Sequence, residues 1–312
     1  MTLLLDLALV AWLLGLAAYV VIEQDERSAI IAFLAFGLLL GLVWVRLAAP
    51  DVALTEIAIG GGGTGILLLR AEAALRGRGK HEEAMTRTGK LAVAAGCAAI
   101  SAGLGYAVLT FASPAPTLAP EASQALGATG LGNPVTAVLL AYRALDTLLE
   151  KVVVLLALVG VWSLAPDGVW GGAPEMKPAT AAPEPLAWLA RILPPFGVVI
   201  GVYMFWVGAD APGGTFQAGT VLAAMWLLVM MAGIHPPPDT ERPWLRLALT
   251  GGPILFLAIA FLGFAFAEGG FLAYPEGFAK PLIVAIEAAL TLSVAAALAM
   301  LVAGPARKAP AR

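Results

Sequence analysis

Charged side chains are scarce in this 312-residue chain: they make up 12% of it, against 60% hydrophobic residues. An ordinary globular domain is about a quarter charged and about half apolar. The composition therefore excludes a soluble domain of this length and points to an integral membrane protein. The net charge of -3 carries no implication of nucleic-acid binding, because the placement of Lys and Arg among the loops matters more than their sum. There is one cysteine, Cys97, inside an apolar stretch. No disulfide framework or thiolate metal site is available, and core packing is its expected role. The two histidines, His81 and His235, fall in loops without ligand partners, so no metal site is expected. The pattern of a nucleophile with its base, a dinucleotide fingerprint and a solenoid repeat are also missing, and no cofactor is expected. The first segment, Thr2–Ile22, lacks a basic n-region and a small-residue cleavage site and runs into the acidic stretch EQDER; it reads as a retained transmembrane helix.

What the chain has in abundance is apolar runs long enough to cross a hydrocarbon core of about 30 Å as helices. The sequence predicts an all-α, polytopic integral membrane protein with about nine spans: Leu3–Ile22, Ser28–Ala48, Val52–Leu69, Lys90–Phe111, Val135–Leu164, Trp188–Gly208, Phe216–Ile234, Leu245–Ala267 and Pro281–Val302. The fifth is long for a simple span and is expected to tilt, kink or start in the interface. The loop Arg70–Lys90 holds six Lys and Arg residues and is expected to be cytoplasmic. That choice puts the N-terminus outside and the tail GPARKAPAR inside. It also leaves Arg27, Lys177, Arg191, Arg242, Arg246, Arg307, Lys308 and Arg312 at the inner boundary, with only Arg46 and Lys280 outside. The Pro-, Ala- and Gly-rich stretch Ala165–Ala187 reads as a linker. The polar, Pro-rich outer loop Ala112–Gly132 offers no recognisable chemistry.

Against this apolar background a few charges stand out. A carboxylate at bilayer depth costs several kcal/mol, so it normally marks an ion or proton path. Glu56 is such a group, preceded by Thr55 and followed by Gly60, Gly61, Gly62 and Gly63. Four glycines within a helix weaken it by about 1 kcal/mol each relative to Ala. They also permit close helix approach, with Gly61 and Gly65 at GxxxG spacing, and they suit a π-bulge. The run is no phosphate loop, since no Gly-Lys-Ser/Thr follows. In the fifth span Arg143, Asp146, Thr147, Glu150 and Lys151 occupy about two turns. Arg143 reaches Asp146 at i+3, Asp146 and Glu150 share a face at i+4, and Lys151 points away from Glu150 toward some other partner. That group is either a structural ion-pair network between subunits or a relay of carboxylates governed by Arg and Lys. Gln217 enters the membrane early, behind the tight outer turn GADAPGGTFQAGT, and Glu287 is alone in the ninth span. Asp6 and Glu268 lie near outer boundaries and are expected to be solvated.

These segments together resemble subunits of the Mrp-type multisubunit cation/proton antiporters and of the related membrane-bound hydrogenases. PDVALTEIAIGGGGTG is similar to the signature of the small three-helix MbhD-type domain. NPVTAVLLAYRALDTLLEKVVVLLALVGVW resembles the MbhE-type segment, whose usual form is closer to FRxxDTxGE. Arg143, Asp146, Thr147 and Glu150 match that form, while Leu149 stands where the family commonly has Gly. APGGTFQAGTVLAA resembles the PGGGFQGG motif of the MrpB (MnhB, MbhF) family, with Ala218–Gly219 in place of its second Gly pair. The first five helices also resemble the complex I subunit NuoJ, which implies a π-bulge at Gly60–Gly63.

The resemblance implies an MbhD-like three-helix domain over 1–89, an MbhE-like segment over 90–164, the linker 165–187 and a four-helix MrpB-like domain over 188–312. It further implies a non-catalytic subunit of an Mrp-type or complex I-like assembly in the cytoplasmic membrane. Its partners there would be antiporter-like subunits and an MrpC/NuoK-like subunit, its ions Na⁺ and H⁺. The expected ion path would draw on Glu56, Thr55, Arg143, Asp146, Glu150, Lys151, Gln217 and Glu287. The same fused module in the membrane arm of an energy-converting hydrogenase or related oxidoreductase is the alternative.

Overall fold

A computed structural model describes residues 2–76, 86–111, 117–176, 183–267 and 269–310. His81, Lys177, Glu268 and Arg312 lie outside the described residues. Every regular element among them is helical: α1 (Thr2–Ile22), α2 (Glu26–Arg46), α3 (Pro50–Leu75), α4 (Arg87–Thr110), α5 (Ala119–Thr129), α6 (Pro134–Tyr142), α7 (Ala144–Trp162), α8 (Glu184–Val207), α9 (Thr215–Met231), α10 (Pro243–Phe266) and α11 (Ala279–Ala303). Seven of them, α1, α2, α3, α4, α8, α10 and α11, are long and apolar enough to cross a membrane. An eighth span is available if the pair α5 and α6, bent by 89°, crosses as one. Two of the nine expected spans do not meet length and apolarity together. α9 has 17 residues, short of the roughly 20 that a bilayer core asks for. α7 carries Asp146, Glu150 and Lys151 within 19 residues.

The helices sort by how much of themselves they bury. α11 is the axis: small and medium residues such as Ala296, Ala297 and Ala299 let α9 and α10 close on either side, with Ile283, Ile286, Leu290 and Met300 filling the spaces between. Beside Pro253 in α10, the Ser293 hydroxyl of α11 accepts from the Gly252 N–H at 3.0 Å and donates to the Ala248 carbonyl at 2.7 Å, tying the two helices together. By contrast α4 buries nothing. Cys97 is accordingly exposed on it, not packed in a core as its apolar neighbours suggested, because an evenly apolar helix gives no signal of which face meets protein.

Two helices depart from α geometry, and both carry candidate residues. In α3 the stretch Glu56–Gly63 is π-helical, with the Thr64 N–H reaching the Ile59 carbonyl five residues back. Gly37 of α2 lies against it: a Cβ there would stand 3.0 Å from the Gly61 Cα. The fifth expected span is interrupted instead of continuous. Val138–Tyr142 is π-helical, the Arg143 N–H donates to the Val138 carbonyl at 2.8 Å, and Arg143 itself leaves helical geometry at φ -129°. The carbonyls freed by the break are taken by hydroxyls, Thr147 onto Leu139 at 2.6 Å and Tyr274 onto Leu140 at 2.7 Å. Such substitutes are what allow non-α backbone at membrane depth.

The connections hold the two ends together. The stretch expected to be a free linker packs in its first half under the C-terminal tail, with Arg307 N–H on the Ala173 carbonyl at 2.9 Å and Thr240 N–H on Gly172 at 3.1 Å. Arg70 at the end of α3 donates to the Val302 carbonyl of α11, a cation on the last turn of a helix where its dipole favours one. The loop Ala112–Gly132 contributes helix α5, closed by Gly130 at φ +68°. Asp6, expected to be solvated, pairs with Arg46 at 2.9 Å across α1 and α2, although both are nearly half exposed.

The approach of α2 to the π segment yields a direct test. Gly37→Val forces branched carbons onto the Gly61 backbone, an overpacking that costs about 1–3 kcal/mol. The purified protein is expected to lose several degrees of thermal stability, whereas the same change at Gly96, which faces open space, is expected to leave the midpoint within a degree.

Candidate functional site

Five segments converge on one cavity of about 280 Å³. α3 brings its first turn, Asp51 and Thr55. α6 and α7 bring Thr136, Thr147, Glu150 and Lys151, the turn before α9 brings Gly213 to Gln217, and α11 brings Glu287. Asp51 organises the mouth. Its Oδ1 accepts from Asn133 Nδ2 at 3.2 Å and from the Gly213 N–H at 3.1 Å. Its carbonyl accepts from Thr55 Oγ1 at 2.9 Å, and Gln217 Nε2 donates to Thr55 Oγ1 at 3.0 Å. Asn133 also caps α6 by accepting from the Val135 N–H at 2.9 Å, the usual duty of Asn before a helix that opens on proline. The turn 208–214 is tight enough that Gly208 and Gly214 touch, and Gly214 adopts φ +142°, open only to glycine.

Two opposite charges are buried inside. Lys151 is 4% exposed, its Nζ 3.4 Å from the centre of the Phe216 ring and 3.5 Å from Glu150 Oε2. The expectation that Lys151 points away from Glu150 is thus corrected: the flexible stems bring the two ends together although the residues are adjacent. Glu287 is 2% exposed. Its Oε2 has no hydrogen-bond partner. A charge taken out of water demands a counter-charge or a full set of hydrogen bonds, and Glu287 has an incomplete set.

Of the residues singled out in the sequence, Thr55, Thr147, Glu150, Lys151, Gln217 and Glu287 line this cavity. Arg143 and Asp146 do not. They pair with each other at 2.7 Å on the outer face of α7, 71% and 57% exposed, so the expected single axis of four charges is divided. Within the unbroken α7, Asp146 and Glu150 keep their i, i+4 relation and are both about half exposed, whereas Lys151, one position on, is buried. Glu56 is half-buried and also lies apart from the cavity; its carboxylate folds back over Gly60, where a Cβ would collide with it. Gly60, Gly61, Gly62 and Gly63 all belong to the π stretch. Gly62 and Gly63 border a second, apolar cavity of about 150 Å³ against α9 and α11. Sequence reasoning missed Asp51, Asn133, Thr136 and Phe216. The Asn-Pro helix start and the acidic first turn of α3 were available signals. Among the described residues no three His, Cys, Asp or Glu side chains come close enough to hold a metal ion. What converges is carboxylate, hydroxyl, amide and one ammonium.

The comparisons with known proteins agree with this layout. Residues 11–76 match the family model for MbhD, one of the MBH subunits. Residues 185–306 match that of a domain related to the MnhB subunit of Na⁺/H⁺ antiporter. Among solved structures, the chain is similar to a chain of the Mrp complex from Dietzia sp. DQ12-45-1b, with a TM-score of 0.71 and 24% identity over 94% of this chain and 34% of that one. It therefore spans about a third of that relative's length. It is also similar to a chain of the membrane-bound sulfane sulfur reductase, an archaeal respiratory membrane complex, with a TM-score of 0.57 and 23% identity over 68% of this chain and 96% of that one. At these identities the two likenesses concern the fold. No curated protein matches the chain. In this polypeptide, then, a stretch that matches the MbhD model is followed by one that matches the MnhB-related model.

Proposed function

We propose that this chain is a membrane subunit of an Mrp-type cation/proton antiporter, and that the cavity between its two domains is part of the ion path. The observation that carries this reading is Glu287. It is a buried carboxylate with an unpartnered oxygen, facing a space that also receives Lys151, Glu150 and Asp51. A group placed in that way gains from taking up a proton or a cation, and a cavity of this size has room for waters to deliver one. Glu56 and the Arg143–Asp146 pair, which face away, would serve the part of the path completed by neighbouring subunits, among them antiporter-like and MrpC/NuoK-like ones. The chain itself performs no covalent chemistry in this reading. It lies in the cytoplasmic membrane with nine spans, α7 and α9 included, the N-terminus outside and the Arg70 end of α3 inside. The MbhE-like segment, 90–164, forms one wall of the path and 165–187 joins it to the MnhB-related domain.

A second reading has its own support. The likeness to the sulfane sulfur reductase chain covers nearly all of that chain, so the same fused module would also suit the membrane arm of a redox-driven, ion-pumping complex. Iron–sulfur subunits among the proteins that copurify with the chain from native membranes would favour this reading over the antiporter.

Exchange measurements test the cavity. Glu287→Gln keeps size and hydrogen bonding but removes the titrating charge. Cation/proton exchange in everted vesicles is expected to fall to the background of membranes lacking the chain, with the complex still assembled. Glu56→Gln is expected to reduce exchange without abolishing assembly. Normal exchange by Glu287→Gln at normal expression would remove the cavity from the path.

Topology is checked separately by labelling. A cysteine at Arg76 in a Cys97→Ser background is expected to react with an impermeant maleimide only in everted vesicles. Reaction in intact cells would reverse the orientation.

A further inference from the structure

The Lys151 ammonium is a buried cation lining the cavity. Asp51 is already engaged by Asn133 and Gly213, so the open demand for positive charge inside the cavity comes from Glu287, with Glu150 at the side. The ammonium is not held by a close carboxylate alone, but is shared between an aromatic face and Glu150. Its nearer neighbour is the face of Phe216 at 3.4 Å, with Glu150 at the looser 3.5 Å. An aromatic face attracts a cation strongly when both are desolvated, and it leaves the carboxylate oxygens free to change partners. A cation on a side-chain tether is present at an effective concentration far above that of most free competitors, without any further contact. Hydroxyl, amide and carboxylate oxygens such as those of Thr215, Gln217 and Glu287 are also what a hard monovalent cation requires.

We propose that Lys151 is a tethered cation that occupies the monovalent-cation position of this cavity and thereby determines which free ion it accepts. With the ammonium over Phe216, Glu287 exchanges protons; Na⁺ binds there only by displacing Lys151. The proposal rests on the reading of the cavity as part of the ion path. Apparent affinity for Na⁺ then scales with the fraction of time the position is vacant, so an ammonium present for all but about a tenth of the time weakens Na⁺ roughly tenfold.

Lys151→Met removes the charge and keeps the apolar stem; Phe216→Leu keeps the charge and removes its platform. In membrane vesicles carrying the chain with its native neighbouring subunits, at one fixed pH, Lys151→Met is expected to lower the apparent KM for Na⁺ about tenfold. Phe216→Leu is expected to shift it in the same direction by less. Apparent KM values within twofold of the unaltered protein for both variants overturn the proposal. Equilibrium binding of radiolabelled Na⁺ to the purified complex gives an answer even where transport is lost. Tighter binding by Lys151→Met, abolished again in Lys151→Met/Glu287→Gln, supports the proposal, and binding equal to that of the unaltered complex overturns it. If Lys151→Met does not assemble, the same comparison with Phe216→Leu decides. Normal exchange by Glu287→Gln alone would instead sink the ion-path reading, so the two failures are distinguishable.

Discussion

The hydrogen bonds converging on Asp51 tie the start of α3 to the start of α6 and to the turn before α9. Its carboxylate holds Asn133 at the start of α6 and the Gly213 backbone before α9, and its carbonyl holds Thr55. Remove it, and the MbhD domain has few polar ties to the rest at this end. At the other end Arg70 performs a similar duty on the last turn of α11. Between these two clamps the contacts are apolar and involve the π stretch of α3 lying near α9, a region with a cavity of its own. In lipid, apolar surface gives little preference for one neighbour over another, so polar clamps and small-residue contacts decide which helices meet.

The two π stretches solve one problem in different ways. In α3 the glycines allow an eight-residue π segment with little steric cost, and Gly37 of α2 closes on it. In the second case Val138–Tyr142 are bulky, and the irregular backbone is held by hydroxyls from Thr147 and Tyr274. The consequence is also different. The α3 stretch leaves Glu56 outside the cavity. The break at Arg143 precedes α7, in which Lys151 is buried while Asp146 and Glu150 stay about half exposed.

Much of this was legible in the sequence. The apolar runs identified the membrane class, since no other environment suits so few charges, and two of the quoted motifs fall in or beside the stretches that the MbhD and MnhB-related models match. The glycine run located the α3 irregularity. Thr55, Gln217, Lys151 and Glu287 were each conspicuous because a polar group in an apolar run is costly unless it has a purpose. The expectations that failed share one cause. Cys97 in a core and Lys151 turned from Glu150 were both statements about which way a side chain faces. In a helix that is apolar all round, the pattern holds no phase information.

By itself the sequence determined that this chain is a bundle of membrane helices, where the unusual charges fall along it, and which residues at its turns must be Gly, Asn or Pro. Local chemistry fixes those things: apolar length, cap preferences and the φ freedom of glycine. Only the tertiary structure decided that Asp51, Lys151, Gln217 and Glu287, spread over more than two hundred residues, face a single cavity, and that Asp146 does not. The deciding quantity is rotation about the helix axis. One residue out of α register turns everything beyond it by about 100°, and two π segments, packed by contacts remote in sequence, set that angle.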